Sequence, residues 1–168
     1  MTRTFITDKQ LSDWKEAMIN SAKNNLIKNG SVMPVAMLYC QNQEHRIYGT
    51  QFQSDEDKNA FTKFLRQEMK THDALAYMFI SEAWVTKHDV KDGENGYKNP
   101  DGTYKRPSES PDKIECIFVT FETKIQSEVI CIEIKRDGDK IKFGHEQRNG
   151  KTIGGRFSDM LKMPVIKN

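Results

Sequence analysis

At 168 residues, 30% of them charged, and with a net charge of +2, the chain is long enough to bury about 70% of its unfolded surface in a single domain spanning 1–168. Neither a metal nor a disulfide framework is needed to hold such a chain together. The near-neutral balance argues against a dedicated nucleic-acid neutraliser, and the lack of an 18-residue apolar run argues against a membrane span.

Met1 to Thr7 has no apolar leader, and Cys40, Cys116 and Cys131 fall in apolar runs without paired spacing. Free, buried thiols in a reducing compartment follow, so a cytoplasmic protein is expected by elimination. Charge is uneven along the chain: residues 135–168 carry 9 basic and 4 acidic side chains, whereas residues 1–134 carry 17 and 20.

In chain order, Thr7 and Gln10 have capping-box spacing and open a helix. Leu11, Trp14, Met18, Ala22 and Leu26 recur at helical intervals as its buried face, with Asp13, Lys15, Glu16, Asn20 and Lys23 opposite. Asn29-Gly30 supplies a left-handed stop. Met33 to Cys40 reads as a strand with Pro34 near its start, Gln41 to Glu44 as a turn, and His45 to Phe52 as a more exposed strand. Ser54 and Asp57 open a second helix whose stripe is Phe61, Phe64, Leu65 and Met69.

Ala74 to Val85 and Ile114 to Phe121 are strongly apolar strands that bracket a long polar stretch. Glu128 to Lys135 and Lys140 to His145 follow as two more strands, joined at Asp137-Gly138 by a hairpin. Strands four and five are apolar on both faces, which places them centrally or at an interface with a second copy, so a homodimer stays open. Arg156 to Met163, with Phe157, Met160 and Leu161, predicts a last short helix before Pro164. The class is α+β, order α-β-β-α-β-β-β-β-α, a mostly antiparallel sheet of about six strands with two main helices.

Several motifs fail on spacing. Gly144 to Thr152 imitates a phosphate loop, but five residues separate its glycines where four are needed, and Ile153-Gly154-Gly155 is a poor helix start. His145-Glu146 lacks the second histidine of a zinc helix, since Asn149 stands there. Asp89, Asp92 and Glu94 lack calcium-loop spacing. No metal, no cofactor and no activated cysteine or serine nucleophile is expected.

The polar stretch 87–112 is more informative, because connections of this length in compact domains are usually functional or disordered. Tyr97 to Lys105 is nearly palindromic about Pro100-Asp101-Gly102, which predicts a projecting β-arm presenting Tyr97 and Tyr104, with Arg106 beside them, to a partner. Glu82 shares a strand face with Met78, Ile80 and Trp84, where a carboxylate is costly unless paired. Arg106 or Lys113 is the expected counter-ion, in a structural pair that anchors the loop base.

Ser81-Glu82-Ala83-Trp84, followed by Arg106-Pro107-Ser108-Glu109-Ser110-Pro111-Asp112-Lys113-Ile114-Glu115, resembles a family of uncharacterised proteins of bacteria and their phages. That family pairs a Ser-Glu-Ala-Trp strand with a Pro-Ser-Glu-x-Pro-Asp-Arg segment. Lys113 departs from its arginine and would weaken a bidentate pairing with Glu82. The resemblance covers about a third of the chain. It implies a phage or mobile-element origin and no particular reaction.

The leading expectation is a small cytoplasmic, phage-related protein that binds or inhibits a partner protein, a host protein being one candidate, through the arm and a sheet edge. The alternative is a small-ligand-binding protein or hydrolase using Glu82, Glu109 and Asp112 at the loop base. A second alternative is weak nucleic-acid binding by the basic C-terminal third.

Overall fold

A computed structural model describes residues 6–86, 101, 113–149, 157 and 160–161. Helix α1 (Asp8–Asn29) begins where both arms of the Thr7–Gln10 capping box form. Gln10 N–H donates to Thr7 Oγ1 at 3.2 Å, and Thr7 N–H donates to Gln10 Oε1 at 2.8 Å. The helix ends at Gly30, whose φ of 76° lets its N–H close back on the Leu26 carbonyl. Helix α2 (Asp55–Thr71) starts with the same device, Ser54 and Asp57 each bonding the other's amide at 3.1 Å, and three acids fill its first turn.

Six strands form one antiparallel sheet: β1 (Val35–Cys40), β2 (His45–Gly49), β3 (Ala74–Thr86), β4 (Lys113–Thr123), β5 (Ser127–Asp137) and β6 (Lys140–Asn149). Their spatial order is β2-β1-β3-β4-β5-β6, with β2 and β6 on the edges. Helix α2 carries the chain from edge strand β2 past β1 to β3. The two apolar runs that bracket the polar stretch pair with each other, from Ala76 opposite Thr123 to Thr86 opposite Lys113. The Asp137-Gly138 signal closes β5 onto β6, with Gly138 at φ 57° and Asp137 paired with Lys140.

Each face of the sheet has its own core. Trp14, Ile19, Ala22 and Leu26 of α1 pack on Met78, Ile80, Ile117, Val119, Phe121 and Ile132. Leu65 and Met69 of α2 pack on Leu38, Tyr77 and Phe79, joined by Phe157, Met160 and Leu161. Phe157 stacks flat on Phe79 with centroids 4.2 Å apart. The two-sided apolarity of β4 is thereby explained, since it lies between β3 and β5 with Ile117 facing α1 and Cys116 facing away.

Four details differ from the sequence expectation. Ile19 is buried while Leu11 and Met18 are only partly so. Lys15, assigned to the polar face, is 8% exposed: its stem lies on the sheet, and its ammonium meets Glu128 at 2.6 Å and sits over the Phe121 ring. Strand β1 begins at Val35, and β2 ends at Gly49 because Phe52 turns inward against Phe61 and Phe157. Phe64 is 43% exposed, its ring edge-on to Tyr48. The arm at 87–112, apart from Asp101, lies outside the described residues, as do all but three residues of the last expected helix. No helix among the described residues is long and apolar enough to cross a membrane.

Candidate functional site

Glu82 sits on the α1 face two residues beyond Ile80, where the helix ends and the core opens to water. One of its oxygens accepts the Val32 backbone N–H, and the other lies 3.7 Å from Arg136 Nη2. Arg136 reaches it from the end of β5. The same guanidinium grips Glu115 through Nε and Nη2 at 2.9 and 2.6 Å and donates to the Gly30 carbonyl at 3.0 Å. One arginine thus ties β3, β4 and β5 to the C-terminal cap of α1, and the hydrogen bonds it donates to Glu115 raise its already high pKa.

Lys113 pairs in register with Thr86, four residues along β3 from Glu82, and its ammonium lies 5.0 Å above the Trp84 ring. Tyr97, Tyr104, Arg106, Glu109 and Asp112 lie outside the described residues. Both Glu82 oxygens are thus engaged by described groups.

Sequence reasoning missed a second acid. Glu122 is 1% exposed on the α2 face and accepts the Met160 and Leu161 amides at 2.7 and 3.2 Å, pinning the chain near its C-terminal end over β4. Opposite it in register, burial and the Glu122 charge push the Tyr77 hydroxyl well above its ordinary pKa. The signal was present: an acid in an otherwise apolar strand, just as at Glu82.

In the basic third, Arg148 bonds Glu16 at 2.5 Å and Glu146 at 2.6 Å, so its charge, like that of Arg136, is held in ion pairs. Gly144 to Asn149 form part of strand β6 and not a phosphate loop. A Cβ at Gly144 would come within 2.4 Å of Glu133 Oε2, so this glycine lets a neighbouring side chain lie across the strand. No cluster of three metal-ligating side chains occurs among the described residues.

A concavity lies on the α1 face beside edge strand β2. Helix α1 lies mainly over β3, β4 and β6, and toward β1 and β2 a groove of about 480 Å³ opens between helix flank and sheet. Its floor is Val35, Met37, Ile47 and Ile80, and Ser21, Asn25 and Asn29 form one wall at four-residue helical spacing. None of its described lining residues carries a charge. Ile47 is 64% exposed and Met33 54%, so the apolar floor runs out to the surface at the sheet edge. At the far end, Trp14, Tyr39 and His45 close the β1–β2 face with ring centroids 4.7 to 6.1 Å apart.

The β2 edge is also open in its backbone. Thr50 N–H bonds Pro34 O, and Cys40 N–H bonds Glu44 O, at either end of the β1–β2 ladder. Hydrogen-bonded pairs alternate in an antiparallel ladder. Arg46 and Tyr48 therefore face β1, while His45, Ile47 and Gly49 direct their N–H and C=O groups away from the sheet.

No curated protein and no solved structure matches the chain. Residues 3–158 match a family model described as bacteriophage lambda protein ea47. The phage origin implied by the Ser-Glu-Ala-Trp and Pro-Ser-Glu segments is thereby shown across nearly the whole chain, which belongs to the phage lambda Ea47 family.

Proposed function

We propose that this phage-family protein acts by binding another protein, and that it docks through edge strand β2 and the groove beside it. The observation that carries this is the coincidence at Ile47. A large apolar side chain that is 64% exposed, an uncharged groove and outward-facing backbone groups all meet at one residue. Contiguous exposed apolar surface of this kind marks interaction sites in soluble proteins. Catalysis has less support: the described carboxylates at the loop base are held in ion pairs, and the groove contains none. On the sequence argument, the Tyr97 and Tyr104 arm is a second contact, and blocking a host protein is one use of such docking.

The test is affinity capture from bacterial extract with wild type and Ile47→Asp, followed by reconstitution of the captured pair from purified components. A partner that binds wild type at least tenfold more tightly than Ile47→Asp, at equal melting temperature, supports edge docking. A reconstituted partner indifferent to Ile47→Asp overturns it. Tyr97→Ala with Tyr104→Ala examines the arm in the same way.

A further inference from the structure

Resting on that docking reading, we infer that the partner enters as an extended strand. Its backbone pairs with β2, and its alternate side chains, apolar and uncharged, reach over Gly49 and Ile47 into the groove. A peptide bonded to His45, Ile47 and Gly49 satisfies donors and acceptors that a docked helix, whose own backbone is already paired, would leave to water. The same three residues turn their side chains to the α1 face, where Ile47 and Gly49 line the groove and His45 packs on Tyr39.

An added strand lies about 4.8 Å outboard of β2, and its side chains alternate between the two sheet faces. Every second one therefore stands at the rim of the groove. Gly49 keeps that rim low, because a Cβ built there meets nothing within 4 Å. The charge-free lining selects against acidic and basic side chains, which would lose hydration without gaining a partner, while Ser21, Asn25 and Asn29 offer neutral hydrogen-bonding groups on the helix wall.

The full chain is immobilised and used to select binders from a random twelve-residue peptide library. Selected peptides are then titrated against wild type, Gly49→Pro and Ile47→Asp, and resynthesised with single N-methylated amides. Proline at position 49 removes an outward N–H and no ladder bond, since Thr50 and Tyr48 carry the bonds to β1. The expected result is peptides with apolar residues at alternate positions, weakened at least tenfold by Gly49→Pro and by N-methylation at every second amide. Should Gly49→Pro fail to fold, the methylation pattern alone decides.

Peptides with helical spacing that ignore methylation but still lose binding to Ile47→Asp overturn the strand and leave groove docking standing. Binders insensitive to every change overturn both. A concentration-dependent dimer of the wild-type chain that Gly49→Pro dissociates identifies a second copy as the occupant and overturns the foreign strand.

Discussion

Replacing Arg136 with methionine is expected to destabilise the fold by about 2–3 kcal/mol, on the scale of charge-assisted hydrogen bonds discounted for partial exposure. Methionine keeps much of the aliphatic stem and removes only the guanidinium. Three hydrogen bonds to Glu115, at 2.6, 2.9 and 3.1 Å, and one to the Gly30 carbonyl are lost, together with the looser 3.7 Å pairing to Glu82. The Arg136 side chain is 36% exposed and that of Glu115 18%, so the Glu115 pair supplies most of the effect and the Glu82 pair ~0.5 kcal/mol or less.

Urea unfolding followed by tryptophan fluorescence reads the change as a lower midpoint at constant slope. Combining Arg136→Met with Glu115→Gln should cost clearly less than the two singly, with a coupling of about 1–1.5 kcal/mol. A loss under ~0.5 kcal/mol, or strict additivity of the pair, would refute the assignment of Arg136 as the tie between sheet and helix cap.

Lys15→Met should cost ~2 kcal/mol by leaving Glu128 partly buried and unpaired, and Lys15→Met with Glu128→Leu should recover most of that loss in the same urea titration. The hydrogen bond from Arg148 holds the Glu16 carboxyl below its ordinary value of 4.5. A depressed carboxylate contributes stability that is present above its unfolded pKa and is lost as pH falls through the lower folded value. NMR titration should place the Glu16 midpoint below 4.5 in wild type and move it upward in Arg148→Met, and an unmoved midpoint would contradict the pairing. Gly30→Ala should cost about 1 kcal/mol because φ is 76° there, measurable as a lower melting temperature.

Local chemistry was legible in the sequence wherever a few neighbouring residues decide the outcome. The Thr7–Gln10 and Ser54–Asp57 boxes, the Gly30 stop and the Asp137-Gly138 hairpin form as read. Long-range partnership was not. The need of Glu82 for a partner could be read from its apolar neighbours, yet Arg136 lies 54 positions away, brought near only because β3, β4 and β5 stack in order. Lys15 misled for a related reason: helical spacing says which way a side chain leaves the helix, not whether a sheet acid waits beneath it. The groove was invisible for the same cause, since Ser21, Asn25 and Ile47 become neighbours only once α1 crosses the sheet away from β2. An apolar residue in a short edge strand was its sole sequence trace.

The pairing of Thr86 with Lys113 makes the junction at the open end of β3 and β4 a fixed gate in the chain, through which residues 87–112 leave and return. By chain entropy alone, closing a connection of 26 residues costs about 1.7 kcal/mol more than closing one of four, and each further doubling adds only ~0.6 kcal/mol. Selection can therefore lengthen, shorten or rewrite this segment at little thermodynamic expense while β3, β4 and the cores on either side stay as they are.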